Sequence, residues 1–389
     1  MFSDQSPGDT SSADDLLDRF GPQFDTQASK ISSPSSEWYK WINNEARQRL
    51  LGGCFIFDIH QSMYHQQPRA RAPRAELSSL LRKPCPENLW VASNPSEWQA
   101  QRSDSNPQPI HLIEQDIDSQ AMCSTWSFNQ TLVICWFVSR LPPQEDFTYP
   151  NEYLSQALHP DIENFVDLFS AIPLAHSYMA MYHTPLRSLL AVAGDTWIFA
   201  QKISSPSAFR AAQLQLKTWS SSFAAAQATH HACQIIFQAL SSPTVFSSDG
   251  IMVSPVCCIS DYWSLYVSAL ICWSFGHRYQ DLPTNGTSGT LTRSNSSTQL
   301  RAVDTDDTPP PTTSDIRIKA LTFVKEMLQL STEELITSKA GMKRETAGII
   351  DTVRQQLELE NVGNKCGLLV DSIVVLGKLR KTASKTHWF

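Results

Sequence analysis

Residues 44–68 read NEARQRLLGGCFIFDIHQSMYHQQP, and the reading of this stretch decides the fold. It opens charged, turns strongly apolar, carries one aspartate inside the apolar run and stops at Pro68. Together with the residues just before it, Trp38, Trp41, Ile42, Leu50, Leu51, Cys54 and Phe55 recur mostly at spacings of three and four, which predicts one apolar stripe over several helical turns. Asp58 and His60 invite a catalytic or metal-binding interpretation. Two positions apart on a helix, however, they diverge by about 200° and cannot share a ligand or a proton from one face. The stretch is therefore expected to be a core helix in which Asp58 is a partly buried anchor held by an arginine or a backbone group. Gly52 and Gly53 sit mid-helix, where each costs about 1 kcal/mol relative to alanine, and a close helix contact would explain them.

The same period runs outward along the chain. Asp161 is expected to N-cap IENFVDLFSAI, whose Ile162, Phe165, Leu168, Phe169 and Ile172 share a face. Leu321, Val324 and Leu328 form a further stripe, as do Ile350, Val353 and Leu357, and again Leu369, Ile373 and Leu376, with Gly363 placed where a helix would close. Alternating, strand-like runs are few and short. The expected fold is all-α, a multi-helix domain.

Polar tracts divide this helical chain. Residues 1–35 are acidic and polar with little to bury and are expected to be disordered. Residues 36–280 form the main helical block. Residues 281–315, almost without apolar side chains and ending in three prolines, predict a flexible linker. Residues 316–389 form a C-terminal helical block expected to pack on the main one. No internal repeat is present.

Composition narrows the function. The chain of 389 residues carries a net charge of −7, and only 18% of its residues are charged. A protein that grips a nucleic-acid backbone over a wide surface needs a local surplus of lysine and arginine. No basic start followed by an apolar middle marks a secretory signal, and the most apolar run, residues 262–275, is shorter than the roughly 20 residues of a spanning helix. A soluble, intracellular protein with no membrane partner is the expectation, which makes the sequons at Asn129, Asn285 and Asn295 chance matches. Nine cysteines, odd in number and scattered, suit reduced buried thiols.

Three groups resemble sites. His230, His231 and Cys233 include a pair three apart, but tetrahedral zinc needs a matching second pair, and the chain offers none. Cys257 and Cys258 are adjacent and point apart. Asp304, Asp306 and Asp307 evoke the aspartate-rich motifs of all-α terpene synthases, which need carboxylates at helical spacing. Here they precede three prolines, so a solvated loop is expected. No G-x-S-x-G, H-E-x-x-H or glycine-rich phosphate loop is present. No catalytic, cofactor-binding or metal-ligating residue is therefore assigned, and no enzyme activity or cofactor is expected.

Five segments carry a family resemblance. WYKWINNEARQRLLGGCFIFDIHQS (38–62) and PCPENLWVASNPSEWQA (84–100) resemble the fungal-specific transcription factor domain, or middle homology region, in the form found downstream of C2H2 zinc fingers in filamentous fungi. YHTPLRSLLAVAGDTWIFAQKI, DYWSLYVSALICWSFGHRYQD and GNKCGLLVDSIVVLGKLR look like the same family, so the likeness spans about residues 37–380. It implies an all-α regulatory domain acting in the nucleus, with Asp58 at a recurrent anchoring position and Glu45 and Arg49 as an i,i+4 pair on an exposed flank. Relatives bind zinc through N-terminal fingers, but no C-x2-4-C…H-x3-5-H pattern exists here, and the usual opening part of the domain is also missing.

The leading expectation is thus a transcription-regulatory protein, a finger-less relative or fragment of a fungal zinc-finger regulator, of the kind that controls biosynthetic gene clusters. Its partners would be other transcription proteins, self-association included, with DNA reached only indirectly. The alternative is a DNA-free interaction module acting on a partner regulator, and a remote third is a terpene-synthase-type enzyme. The tail KLRKTASK is a weakly basic helix end that would at most assist nuclear entry.

Overall fold

Helix follows wherever the 3.6-residue period is strong. The computed structural model describes residues 34–69, 80–102, 128–142, 160–194, 205–241, 245–246, 252–253, 259–277, 313–337, 342–360 and 366–382. Among these residues there are fourteen helices and one pair of two-residue antiparallel strands, β1 (Val245–Phe246) and β2 (Met252–Val253). The fold is all-α. The aspartates 304, 306 and 307, Cys257 and Cys258, Gly363 and the tract 281–312 lie outside the described residues.

The chain divides into two compact units, one of Met1–Ala46 and Glu87–Asp104, the other of Arg47–Pro86 and Ser105–Phe389. The smaller contains the first turns of α1 (Pro34–His65) together with α2 (Glu87–Trp90) and α3 (Pro95–Gln101). The start of α3 is written in NPSE. Asn94 caps it by accepting from the Glu97 amide, Pro95 takes the first helical position, and the Glu97 carboxylate accepts from the Ser93 amide at 2.9 Å. That arrangement satisfies amides which a helix start otherwise leaves open. Trp98 is 2% exposed, lies tilted against Trp41 with ring centroids 5.5 Å apart, and carries the Arg102 guanidinium 4.9 Å above its ring.

The larger unit contains the rest of α1 and α4 (Phe128–Arg140), α5 (Pro160–Phe169), α6 (Pro173–Tyr182), α7 (Leu186–Ala193), α8 (Pro206–Ser220), α9 (Phe223–Ser241) and α10 (Ile259–Gly276). After these come α11 (Thr313–Gln329), α12 (Thr332–Thr337), α13 (Met342–Glu360) and α14 (Gly367–Thr382). Its centre is the pair α9 and α10. From Trp263 to Phe275 every residue of α10 is buried, so this helix is apolar all round because it meets neighbours all round. On α9, Ala225, Ala226, Ala228 and Ala232 are fully buried, and such small side chains let neighbouring helices approach closely. Helices α6, α11 and α12 pack on α9, and α13 packs on α10, α11 and α14. Asp351 ties α13 to α14 by accepting from Arg380 at 3.1 Å, and within α13 it also accepts from Arg354 at 3.1 Å. No described helix is long and apolar enough to cross a membrane.

Several local expectations change. On α1, Phe55, Ile59 and Met63 are buried, whereas Leu50 is 70% exposed and Cys54 is exposed. Two apolar faces therefore exist where one stripe was expected, because spacing finds apolar residues but not the side that meets the core. Glu45 is buried rather than on an exposed flank. The Arg49 guanidinium donates to the Cys85 carbonyl oxygen at 3.1 Å and lies over the Phe128 ring. Helix α5 begins at Pro160, which puts Asp161 in its first turn instead of at the cap, where its charge still favours the helix start. Gly52 also finds its reason, since a Cβ there would meet Phe128 Cζ at 3.2 Å.

Candidate functional site

Two polar clusters lie inside the otherwise apolar core of the larger unit. The first joins α6, the turn that follows it, and α9. The His176 and His231 rings face each other with their Nδ1 atoms 2.9 Å apart. His176 Nε2 lies 2.7 Å from the Ser170 carbonyl oxygen. A carbonyl only accepts, so Nε2 carries the proton and donates; in the neutral ring Nδ1 then accepts from His231 Nδ1–H. Burial favours this neutral state, because it depresses His176 to about 4 despite the opposing pull of the Ser170 bond. His231 is pushed well below the ordinary histidine value, first by burial and then by the neighbouring histidines.

His183 completes the group. Its ring is parallel to that of His231 at 6.4 Å between centroids, and its Nε2 is buried with no hydrogen-bond partner. Burial holds it at about 4. Its carbonyl accepts from Trp219 Nε1 at 2.7 Å, which fixes the turn between α6 and α7 onto α8. His230, the first residue of the HHAC motif, sits edge-on to His231.

The second cluster joins α1, α4 and α6. The Tyr178 hydroxyl lies 3.1 Å from His60 Nδ1 and 3.3 Å from Cys135 Sγ. His60 stacks on Tyr64 at 5.2 Å and is brought down to about 4 by burial, with His65 adding to the effect. With His60 neutral, the Tyr178 hydroxyl stands between the Cys135 thiol and the His60 imidazole and bonds to both. Burial pushes Cys135 up to about 12 and holds Tyr178 far above its usual range. A thiol so held is not a nucleophile at neutral pH, because the thiolate is the reactive form.

Of the residues singled out in the sequence, His231 is a buried histidine bonded to His176, and His60 is a half-buried one bonded to Tyr178. Cys233 is a buried free thiol beside the free Cys272 thiol of α10, and that neighbour together with burial pushes Cys272 far above its usual range. Asp58 is half-buried and has partners of its own. Among the described residues no group of three or more His, Cys, Asp or Glu is arranged to hold a metal. Sequence reading passed over His176, Tyr178, His183 and Cys135. The available signal was polar residues spaced through the apolar run LAHSYMAMYHT, which have to find partners once buried.

No family model, curated protein or solved structure matches the chain.

Proposed function

We propose that this chain is a transcription-regulatory module, a finger-less relative or fragment of fungal zinc-finger regulators, acting through protein contacts rather than by reading DNA. One observation carries the proposal. The five segments that resemble the fungal-specific transcription factor domain all include helix, on α1, α2 and α3, α7, α10 and α14. Their tryptophans and aliphatic residues build the cores of the two units, with Trp98, Leu189, Trp273 and Leu376 at most 2% exposed. A resemblance carried by core residues supports kinship of fold and role, as opposed to shared chemistry. The buried clusters described above fit that role as polar anchors that specify one packing of α1, α4, α6 and α9.

The net charge of −7 favours a partner other than a phosphate backbone. A binding selection from random oligonucleotides, followed by gel shift over a salt series, tests the DNA half of the proposal. The expected result is weak affinity without sequence preference that falls steeply as salt rises. Tight, salt-tolerant binding to one sequence would overturn it.

A further inference from the structure

The outer face of α1 from Arg47 to Gln61 turns away from the core. Leu50, Cys54 and Phe57, at spacings of four and three, fall on one line along this face. Leu50 is 70% and Phe57 63% exposed, and the Cys54 thiol is free and exposed. Gly53 flanks them, and a Cβ built there meets nothing within 4 Å. The helix thus presents two large apolar side chains beside an open notch. Single exposed apolar residues are ordinary, but a stripe beside a notch is the usual form of a helix contact.

We propose that this face is a homodimer interface, in which α1 of one copy packs antiparallel on α1 of a second copy about a twofold axis at Gly53. Three features favour a second copy. At the axis Gly53 meets Gly53 and leaves room beside it for the large side chains, so the helices approach to about 9–10 Å, within the ordinary range of helix packing. Leu50 lies three residues before the axis and Phe57 four after it, so each Leu50 comes level with the Phe57 of the second copy. Both large side chains are thereby covered twice, as an isologous contact requires. Charge agrees with shape. Arg47 is exposed and Asp58 half-exposed on the same flank of the stripe, six residues before and five after Gly53. An antiparallel twofold keeps that flank on one side, so each Arg47 meets the Asp58 of the second copy, and Asp58 keeps its contacts within its own chain. A seam this small falls short of the roughly 800 Å² per partner of a standard interface, so the dimer is weak and reversible. The inference does not rest on the transcriptional role.

Sedimentation equilibrium of the full chain from about 1 to 200 µM tests it, since dimerisation follows mass action. The expected weight-average mass rises from monomer toward dimer with concentration. In Leu50→Glu/Phe57→Glu it stays monomeric, and the helical circular dichroism is unchanged because both residues are exposed. Gly53→Leu, which blocks the axis, is a second variant with the same expectation should the first not fold. The pairing puts the two Cys54 Cα atoms about 7–8 Å apart, so a short bismaleimide should cross-link wild type but not Cys54→Ser. A wild-type mass that stays monomeric throughout, dimers that persist in the folded variants, or cross-linking that survives Cys54→Ser would overturn the proposal.

Discussion

Acid should unfold this protein in a window set by its buried histidines. His60, His176 and His183 are each brought to about 4 in the folded chain by burial, against about 6.5 when unfolded. The unfolded state therefore binds more protons between these values. Stability is complete above pH 6.5, falls as pH drops toward 4, and loses nothing further from these groups below that. At pH 5 each histidine costs about 2 kcal/mol and the three together about 6, with His231 adding in the same direction. That is comparable with the whole stability of an ordinary domain, about 5–15 kcal/mol. Ordinary carboxylates titrate mainly below about pH 5, so the range from 6.5 to 5 isolates the histidines. Urea unfolding followed by circular dichroism at pH 7.5, 6.5, 5.5 and 5 gives the slope directly. His183→Phe removes one titrating ring while leaving the backbone carbonyl that Trp219 bonds, and should reduce the slope between pH 6.5 and 5 by about 1 kcal/mol per pH unit. A urea midpoint that stays flat from pH 7.5 to 5, or a slope unchanged in His183→Phe, would refute the reasoning.

Gly53→Ala should stabilise the dilute chain by up to about 1 kcal/mol, the helix-propensity gain, whereas Gly52→Ala should gain less or lose because Phe128 has to move. Paired urea curves at one low concentration decide this. Trp219→Phe leaves the His183 carbonyl without its 2.7 Å donor and should cost about 1–3 kcal/mol, read as a lower thermal midpoint. Asp351→Asn weakens the links to Arg354 and Arg380 and should destabilise by about 1–3 kcal/mol. Hydrogen exchange should show the loss first in α13 and α14.

How far the sequence carried this account depends on the length scale of each cause. Helices were legible because their signal is local, a period of 3.6 written in a few turns, and α5 and α13 bury Phe165, Phe169, Val353 and Leu357 as that period demands. Which face of α1 is core was not legible, since Leu50 is as apolar as Phe55 and only the neighbours tell them apart. The adjacent glycines make the same point, because Gly52 lies against Phe128 while Gly53 faces open space. The clusters were hidden for a further reason. His60 and Tyr178 are 118 residues apart in sequence and His176 and His231 are 55 apart, so no motif joins them and only tertiary packing does. The HHAC motif contains one cluster member, His231, but its partner His176 lies 55 residues away.

The proposed role is regulation of transcription through protein contacts. One reporter measurement tests it most directly, with the chain expressed in a filamentous fungus both free and fused to a foreign DNA-binding domain whose site lies upstream of the reporter. The account predicts that the fusion changes reporter output severalfold while the free chain, at equal nuclear level, leaves it unchanged. A fusion that is well expressed in the nucleus and leaves the reporter silent would contradict it.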